Sequence, residues 1–320
     1  MTLYILKRVV SGAVCLALVT VFVFVAMRFV PGDVVSVQLQ NATGVSEEQA
    51  ELLREQFGLN DPVYVQFFDW VGGVFRGDLG ASFWSGEPAV DILAERVPIT
   101  LQIGAFALVL AIVAGVGLGV IAARLRGTWV DGATRVGAVV GLSVPHYVIA
   151  LLILVTLSNV FRWSPPLIFS SIGEDPVQYF QQAGIPIIAL ALMTTAGIAR
   201  MTRSSMLEAI SADSVRAVRA RGGGEWDVIG VHALRNSGIP ILTLVGLELG
   251  AVLGGTVILE TLFAIPGVGS LTYEAVASRD YPLVVVCTIF YCVMYLVVTI
   301  VIDLAYAWID PRIRTAGVGR

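Results

Sequence analysis

The sequence predicts an all-α polytopic membrane protein: six transmembrane helices, both termini cytoplasmic, and a polar outer insertion after the first helix. Three observations carry that expectation. Of 320 residues, 57% are hydrophobic and 14% charged, and the mean hydropathy is +0.84. A water-soluble domain carries roughly a quarter charged residues. Apolar runs long enough to cross a bilayer core of about 30 Å, at about 1.5 Å per residue, recur along the chain. Basic residues then collect on alternate connections, which sets the orientation.

Residues 1–30 form the first span. Lys7 and Arg8 precede the uncharged run Val9 to Met27. A cleaved signal peptide has a shorter apolar region and a small-residue cleavage site. Here Arg28-Phe29-Val30-Pro31 follows, so the run is read as an uncut helix.

Residues 31–98 form the outer insertion. Eleven acids face three bases there, Arg54, Arg76 and Arg96. Ser46 with Gln49 makes a capping-box start for a helix running toward Phe57. Phe67, Phe68, Trp70, Val71, Val74 and Phe75 suit a membrane interface, or equally a small packed outer subdomain.

Residues 99–320 form a five-helix core. Ile99 to Ala123 is the second span, opened by Pro98 and ended by Arg124 and Arg126. Val136 to Val160 is the third, kinked at Pro145 because proline removes a backbone donor and clashes with the preceding turn. The polar run Ser143-Val144-Pro145-His146 makes Ser143, Pro145 and His146 candidates for lining a pathway, against the plainer reading of His146 as a bonded core histidine. Phe161 to Gly184 is an outer loop whose Trp163, Tyr179 and Phe180 suit the headgroup belt. Ile185 to Ala199 is a short fourth span, opened by Pro186 and continued as helix to about 205. Residues 239–263 and 282–309 are the fifth and sixth spans. Glu248 lies in the middle of the fifth. A carboxylate in hydrocarbon costs several kcal/mol unless paired, watered or protonated. Glu248 is therefore a candidate lining residue, or a buried acid bonded within the bundle. Glu260 and Asp303, near the interfaces, are expected to tie helix ends to loops.

Between the fourth and fifth spans lies residues 206–236. From Arg200 to Asn236 the chain carries Arg200, Arg203, Arg216, Arg219, Arg221 and Arg235, four acids and the triplet Gly222 to Gly224. So polar a stretch between two spans lies in water, and its basic excess puts it in the cytoplasm. In DSVRAVRAR, Val215 and Val218 share one helical face. The glycines then end that helix, and a second short helix, Glu225 to Leu234, can follow. Two short helices across the mouth of a bundle make a docking knob. Fourteen of the twenty bases fall on the inner side by this topology.

The chemistry excluded is as informative. Lys7 is the sole lysine, so no phosphate-cradling glycine loop ends in one. Two histidines, His146 and His232, do not supply the usual zinc sets, and a Gly-x-Ser-x-Gly elbow is absent. Cys15, Cys287 and Cys292 stand apart inside apolar runs, without metal or redox spacing. The residues describe a conduit, not an enzyme, with no catalytic residue and no bound metal, and nothing suggests nucleic-acid binding.

The chain resembles the permease subunits of ATP-binding-cassette importers, specifically the B-type subunit of the dipeptide/oligopeptide and nickel branch. The resemblance rests on DSVRAVRARGGG (Asp213 to Gly224), HALRN with Pro240, ETLFAIPGVGSL (Glu260 to Leu271), RDYP (Arg279 to Pro282) and the terminal DPRIR. In the first half it rests on VPGD (Val30 to Asp33), FGLNDP, RGDLGASF, ERVPITL and GLSVP. The family usually has tyrosine where Ser214 stands, leucine where Gly223 stands, and threonine-alanine where Ala217-Val218 stand.

The resemblance implies a type I importer permease fold and a plasma- or inner-membrane location. It implies pairing with a paralogous C-type permease, two ATPase domains that bind ATP and magnesium, and an extracytoplasmic binding protein that delivers a peptide. It implies an ATPase-coupling element made of Asp213, Ser214, Arg216, Ala217, Arg219, Ala220, Arg221, Gly222, Gly223 and Glu225. It also implies binding-protein docking or an outer gate at Asp78, Pro266, Gly267, Arg279 and Asp280. Nickel, glutathione-like or other small solutes are alternatives to peptides. A secondary transporter is the alternative of another class, but it would bring coupling-ion sites and usually a repeat.

Overall fold

The computed structural model describes residues 2–41, 47–211, 222, 224, 230 and 233–309. Among these the secondary structure is helical, apart from one isolated antiparallel bridge between Ala81 and Pro88. The helices are α1 (Thr2–Phe29), α2 (Val34–Asn41), α3 (Glu47–Gln56), α4 (Val63–Phe75), α5 (Ala89–Arg124), α6 (Trp129–Ser143), α7 (His146–Phe161) and α8 (Pro176–Ser211). After them come the single turn α9 (Leu234–Asn236), then α10 (Gly238–Leu262), α11 (Val268–Ala277) and α12 (Tyr281–Ile309).

Among the described residues, five stretches are long and apolar enough to cross a membrane: Arg8–Phe29 in α1, all of α5, α8 and α10, and Tyr281–Ala305 in α12. The pair α6 and α7 makes a sixth crossing if it acts as one span. Val10, Leu18 and Phe22 of α1 stand exposed, which lipid accommodates and water would not.

The structure corrects three boundaries. Pro98 and Pro186 do not open their helices. They lie inside the 36-residue helices α5 and α8. AVDILAERV before Pro98 is rich in helix formers, and a transmembrane bundle tolerates the one missing backbone donor. The expected kink at Pro145 is a full break, with the axes of α6 and α7 meeting at 102°. Val144 is extended (φ −100°, ψ 123°), the conformation that a following proline imposes. Pro145 then starts a new helix by accepting bonds from Val148 N and Ile149 N. Helices α10 and α12 cover the runs expected as the fifth and sixth spans, and the stretch of α12 apolar enough to cross a membrane ends at Ala305.

The chain divides into two compact units. One comprises Ile5–Thr100 and Pro266–Leu296. Its core joins Met27, Ala89, Leu271, Val284 and Cys287. A smaller cluster of Val34, Val35 and Ala50 packs α2 on α3, with Phe57 stacked on Phe83 at 4.6 Å between centroids. The Arg28 guanidinium lies 4.3 Å from the Phe24 ring centroid and 4.0 Å from that of Tyr281, and its Nη2 donates to Gln66 Oε1 at 2.7 Å.

The other unit comprises Met1–Tyr4, Leu101–Ile265 and Val297–Arg320. It is built around α8, which buries 18 of its 36 residues, mostly Ala, Gly, Thr and Ile. Small residues let backbones approach closely where no hydrophobic drive separates protein from lipid. At Gly119 of α5 an added Cβ would lie 2.5 Å from the Thr202 Cβ and 2.8 Å from the Ala199 carbonyl oxygen, so only glycine fits.

Candidate coupling and translocation sites

Helix α8 runs unbroken from the buried heart of its unit to Ser211, and the residues expected to engage an ATPase follow directly in the chain. Of these, Gly222 is described. It sits in a turn with φ +84°, and a Cβ there would meet nothing within 4 Å. The demand for glycine is therefore conformational, since other residues adopt positive φ only at a cost. Asp213, Ser214, Arg216, Ala217, Arg219, Ala220, Arg221, Gly223 and Glu225 lie outside the described residues, as does the expected helix from Glu225 except for Gly230 and its last turn.

The end of α8 that leads into this segment is fastened to the start of α6. Arg203 of α8 donates from Nε to Asp131 Oδ1 at 2.5 Å and from Nη2 to Asp131 Oδ2 at 2.9 Å. Gly127 N adds a bond to Oδ2 at 3.1 Å. Asp131 is 2% exposed. Nothing in the sequence reading anticipated this pair. Its only signal was an acid in an otherwise basic short connection.

Three of the four pathway candidates gather at the break. Ser143 ends α6 and is exposed, its Oγ donating to Val139 O at 2.7 Å. Pro145 is exposed, and His146 opens α7 with its ring against Gly255 of α10. An added Cβ at Gly255 would stand 3.4 Å from His146 Nε2. That nitrogen is buried and makes no well-aligned hydrogen bond among the described residues, although the Gly255 backbone stands beside the ring. Glu248 lies seven residues before Gly255, two turns down the same face of α10 and about 10 Å along its axis. Its half-buried carboxyl is hydrogen-bonded with Thr194 and rests over Gly197, both on α8. The structure thus sets His146 and Glu248 along one face of α10. Thr194, Gly197 and Gly255, which hold them, were not singled out by sequence because small residues in a span carry no distinctive pattern.

The residues expected at an outer gate belong to the other unit. Asp280 is not a surface residue within this chain. It is 1% exposed, and Ser82 Oγ donates to its Oδ2 at 2.5 Å. Burial pushes its carboxyl above the usual carboxylate range, against the opposing pull of the Ser82 hydroxyl. Arg279 adopts φ +59° and donates from Nη2 to Pro31 O at 3.1 Å. Trp84 Nε1 donates to Ser278 O at 3.0 Å. Residues 82–84 and 278–280 are therefore brought together. Gly267 is buried at the start of α11, and Pro266 beside it is partly exposed. Asp78 is exposed and accepts a bond from Gly80 N at 2.8 Å.

Comparison with known proteins adds a family to this geometry. The family described as "Binding-protein-dependent transport system inner membrane component" matches residues 115–315. Its companion, "Binding-prot-dependent transport system membrane comp, N-term", matches residues 1–104. A Sinorhizobium fredii protein named "Probable peptide ABC transporter permease protein" is 37% identical over 314 residues, 98% of this chain and 100% of its own length. The dipeptide transport system permease of Lactococcus lactis is 36% identical over 98% of this chain and 100% of its own. The glutathione transport system permease of Escherichia coli is 33% identical over 97% of this chain and 98% of its own. Among solved structures, the chain is similar in fold to an inward-facing methionine ABC transporter (TM-score 0.54, 17% identity, 70% of this chain and 99% of that one). It is likewise similar to an amino acid ABC transporter (TM-score 0.53, 17% identity, 67% and 92%).

Proposed function

Because the chain belongs to the family of binding-protein-dependent transport system inner membrane components, we propose that it is the permease subunit of an ABC importer for di- and oligopeptides. The observation that carries the substrate class is the end-to-end match, at 37% and 36% identity, to permeases named for peptide and dipeptide transport. The glutathione permease, at 33%, supports a second reading in which the cargo is a glutathione-like peptide. Both readings share one chemistry, a small molecule with peptide bonds and charged termini.

The chain is a multi-pass inner-membrane protein that works with ATPase and binding-protein partners, as its family does. We further propose that both termini lie in the cytoplasm, that a paralogous C-type permease completes the translocation path, and that ATP and magnesium are bound by the ATPase subunits. The charge distribution supports the orientation, and the single lysine, placed before the first span, supports the division of labour. In this scheme Asp213 to Glu225 is the coupling element. Its arginines pair with acids or carbonyls of the ATPase, and Gly222 makes the turn. Closure of the ATPases moves this element and switches the bundle between two states. Ser143, Pro145, His146 and Glu248 face the path, and the segments around Asp78, Pro266 and Arg279 meet the binding protein.

The test is reconstitution of the chain with its neighbouring permease, ATPase and binding-protein genes in proteoliposomes. A radiolabelled dipeptide is expected to accumulate with ATP and to stimulate hydrolysis. Gly222→Asp should leave the complex assembled while hydrolysis no longer drives uptake. No dipeptide uptake by the wild-type complex would overturn the substrate class, and normal uptake by Gly222→Asp would overturn the coupling assignment.

A further inference from the structure

We propose that the Asp131–Arg203 ion pair is the joint through which motion of the coupling segment reaches the break between α6 and α7, so that these are positioning residues for transport. The inference rests on the coupling role assigned above to the segment that follows α8.

Arg203 stands eight residues before Ser211, the last residue of α8, or about 12 Å along the axis. Asp131 is the third residue of α6, and Ser143, twelve residues later and about 18 Å away, is the last. Helix α6 is thus a short rod. It lies along α8, with Asp131 near its start on Arg203 and Gly141 near its far end against Ala196 and Leu192. Beyond that far end is the break, which carries Ser143, Pro145 and His146.

The form of the joint matters. An apolar contact would hold two helices together without desolvating two charges, but apolar surfaces slide. The guanidinium fork meets both carboxylate oxygens, at 2.5 and 2.9 Å, which fixes direction as well as distance. Gly127 N ties the same carboxylate to the turn that enters α6, at 3.1 Å. Arg135 stands farther off, 3.8 Å from Oδ1 with its side chain 62% exposed, and adds little. Helix α5 is carried along as well. Gly115 and Gly119 seat it directly on Ile198, Ala199 and Thr202 of α8, where any displacement of α8 must push it. A displacement at the end of α8 therefore reaches α6 at Asp131 and emerges where the chain turns through 102°.

The experiment uses the full reconstituted complex and measures ATP hydrolysed per radiolabelled dipeptide taken up, for wild type, Asp131→Asn, Arg203→Lys and Gly222→Asp. Arg203→Lys keeps a cation beside Asp131 but loses the fork. It is expected to raise the ratio at least about fivefold, in the range of allosteric couplings, with as much assembled complex as wild type. Asp131→Asn should raise it further. If Asp131→Asn does not assemble, Arg203→Lys alone decides. An unchanged ratio in Arg203→Lys, or a parallel fall of uptake and hydrolysis at constant ratio, overturns the joint. If Gly222→Asp raises the ratio while Arg203→Lys does not, this inference fails and the coupling reading stands. If Gly222→Asp leaves it unchanged, the coupling reading falls and the joint with it.

Discussion

Gly197 on α8 and Glu248 on α10 meet so closely that an added Cβ at the glycine would lie 3.1 Å from Oε1 of the acid. The absence of a side chain at one position is what lets the carboxyl of the other rest against a helix backbone, within reach of Thr194. An ionisable group halfway along an apolar helix is thereby held in one orientation.

Gly197→Ala should therefore be tolerated at a small price. The methyl meets the movable end of a glutamate before it meets backbone, so the loss of stability should be about 1 kcal/mol, the lower end for overpacking. Thermal unfolding in detergent checks this. Gly197→Leu, which has no such escape, should cost more, and equal melting of the two would show that the contact is slack.

Glu248→Gln keeps the volume and a hydrogen bond with Thr194 but removes the ionisable group. If Glu248 faces the path, dipeptide uptake should fall several-fold while the amount of assembled complex is unchanged. Equal uptake per assembled complex would make Glu248 a structural tie between α8 and α10.

Ser82→Ala strips a buried donor from Asp280, leaving the acid less satisfied in a 1% exposed position. A buried polar group left without its partner costs about 1–3 kcal/mol. The loss should show as faster proteolysis between residues 76 and 88 in the detergent-purified protein. Asp280→Asn, which can still accept a bond from Ser82, should be milder.

Asp33 supplies a pH dependence. Burial raises its carboxyl, but the bonds from Arg54 Nε and from Ser36, with the Arg54 charge, outweigh it and hold it below the usual range. The folded form thus favours the ionised acid. The stabilisation is present above the unfolded carboxylate value of about 3.9 and is lost as pH falls through the lower folded value. With both side chains about a quarter exposed, solvent screening limits it to about 1 kcal/mol or less. Hydrogen exchange in α3 should quicken below about pH 4 in the wild type. Asp33→Asn should show no such dependence, and retention of it would assign the effect to another acid.

The spans were legible because hydropathy is a local sum. A run such as Ile239 to Phe263 needs no partner to declare itself, and the structure starts and ends that helix within a residue of it. Prolines were read less well. Pro98 and Pro186 looked like helix starts, yet each is one missing donor in a helix otherwise rich in helix formers, while Pro145 combined with extended Val144 breaks the chain outright. The segment proposed for coupling stands out by its charge. What leads into it, the Asp131–Arg203 pair, does not, because 72 positions separate the partners.

The sequence by itself determined that this chain lives in lipid and which family it joins, because composition, hydropathy and ordered motifs are properties of neighbouring residues. Tertiary structure alone decided that α8 is the buried centre of its unit and not a short span. It also decided that Asp280 is an internal anchor, and that His146 and Glu248 share a face of α10. Those outcomes depend on which small residues from distant segments allow two backbones to touch, and that complementarity exists only once the helices have packed.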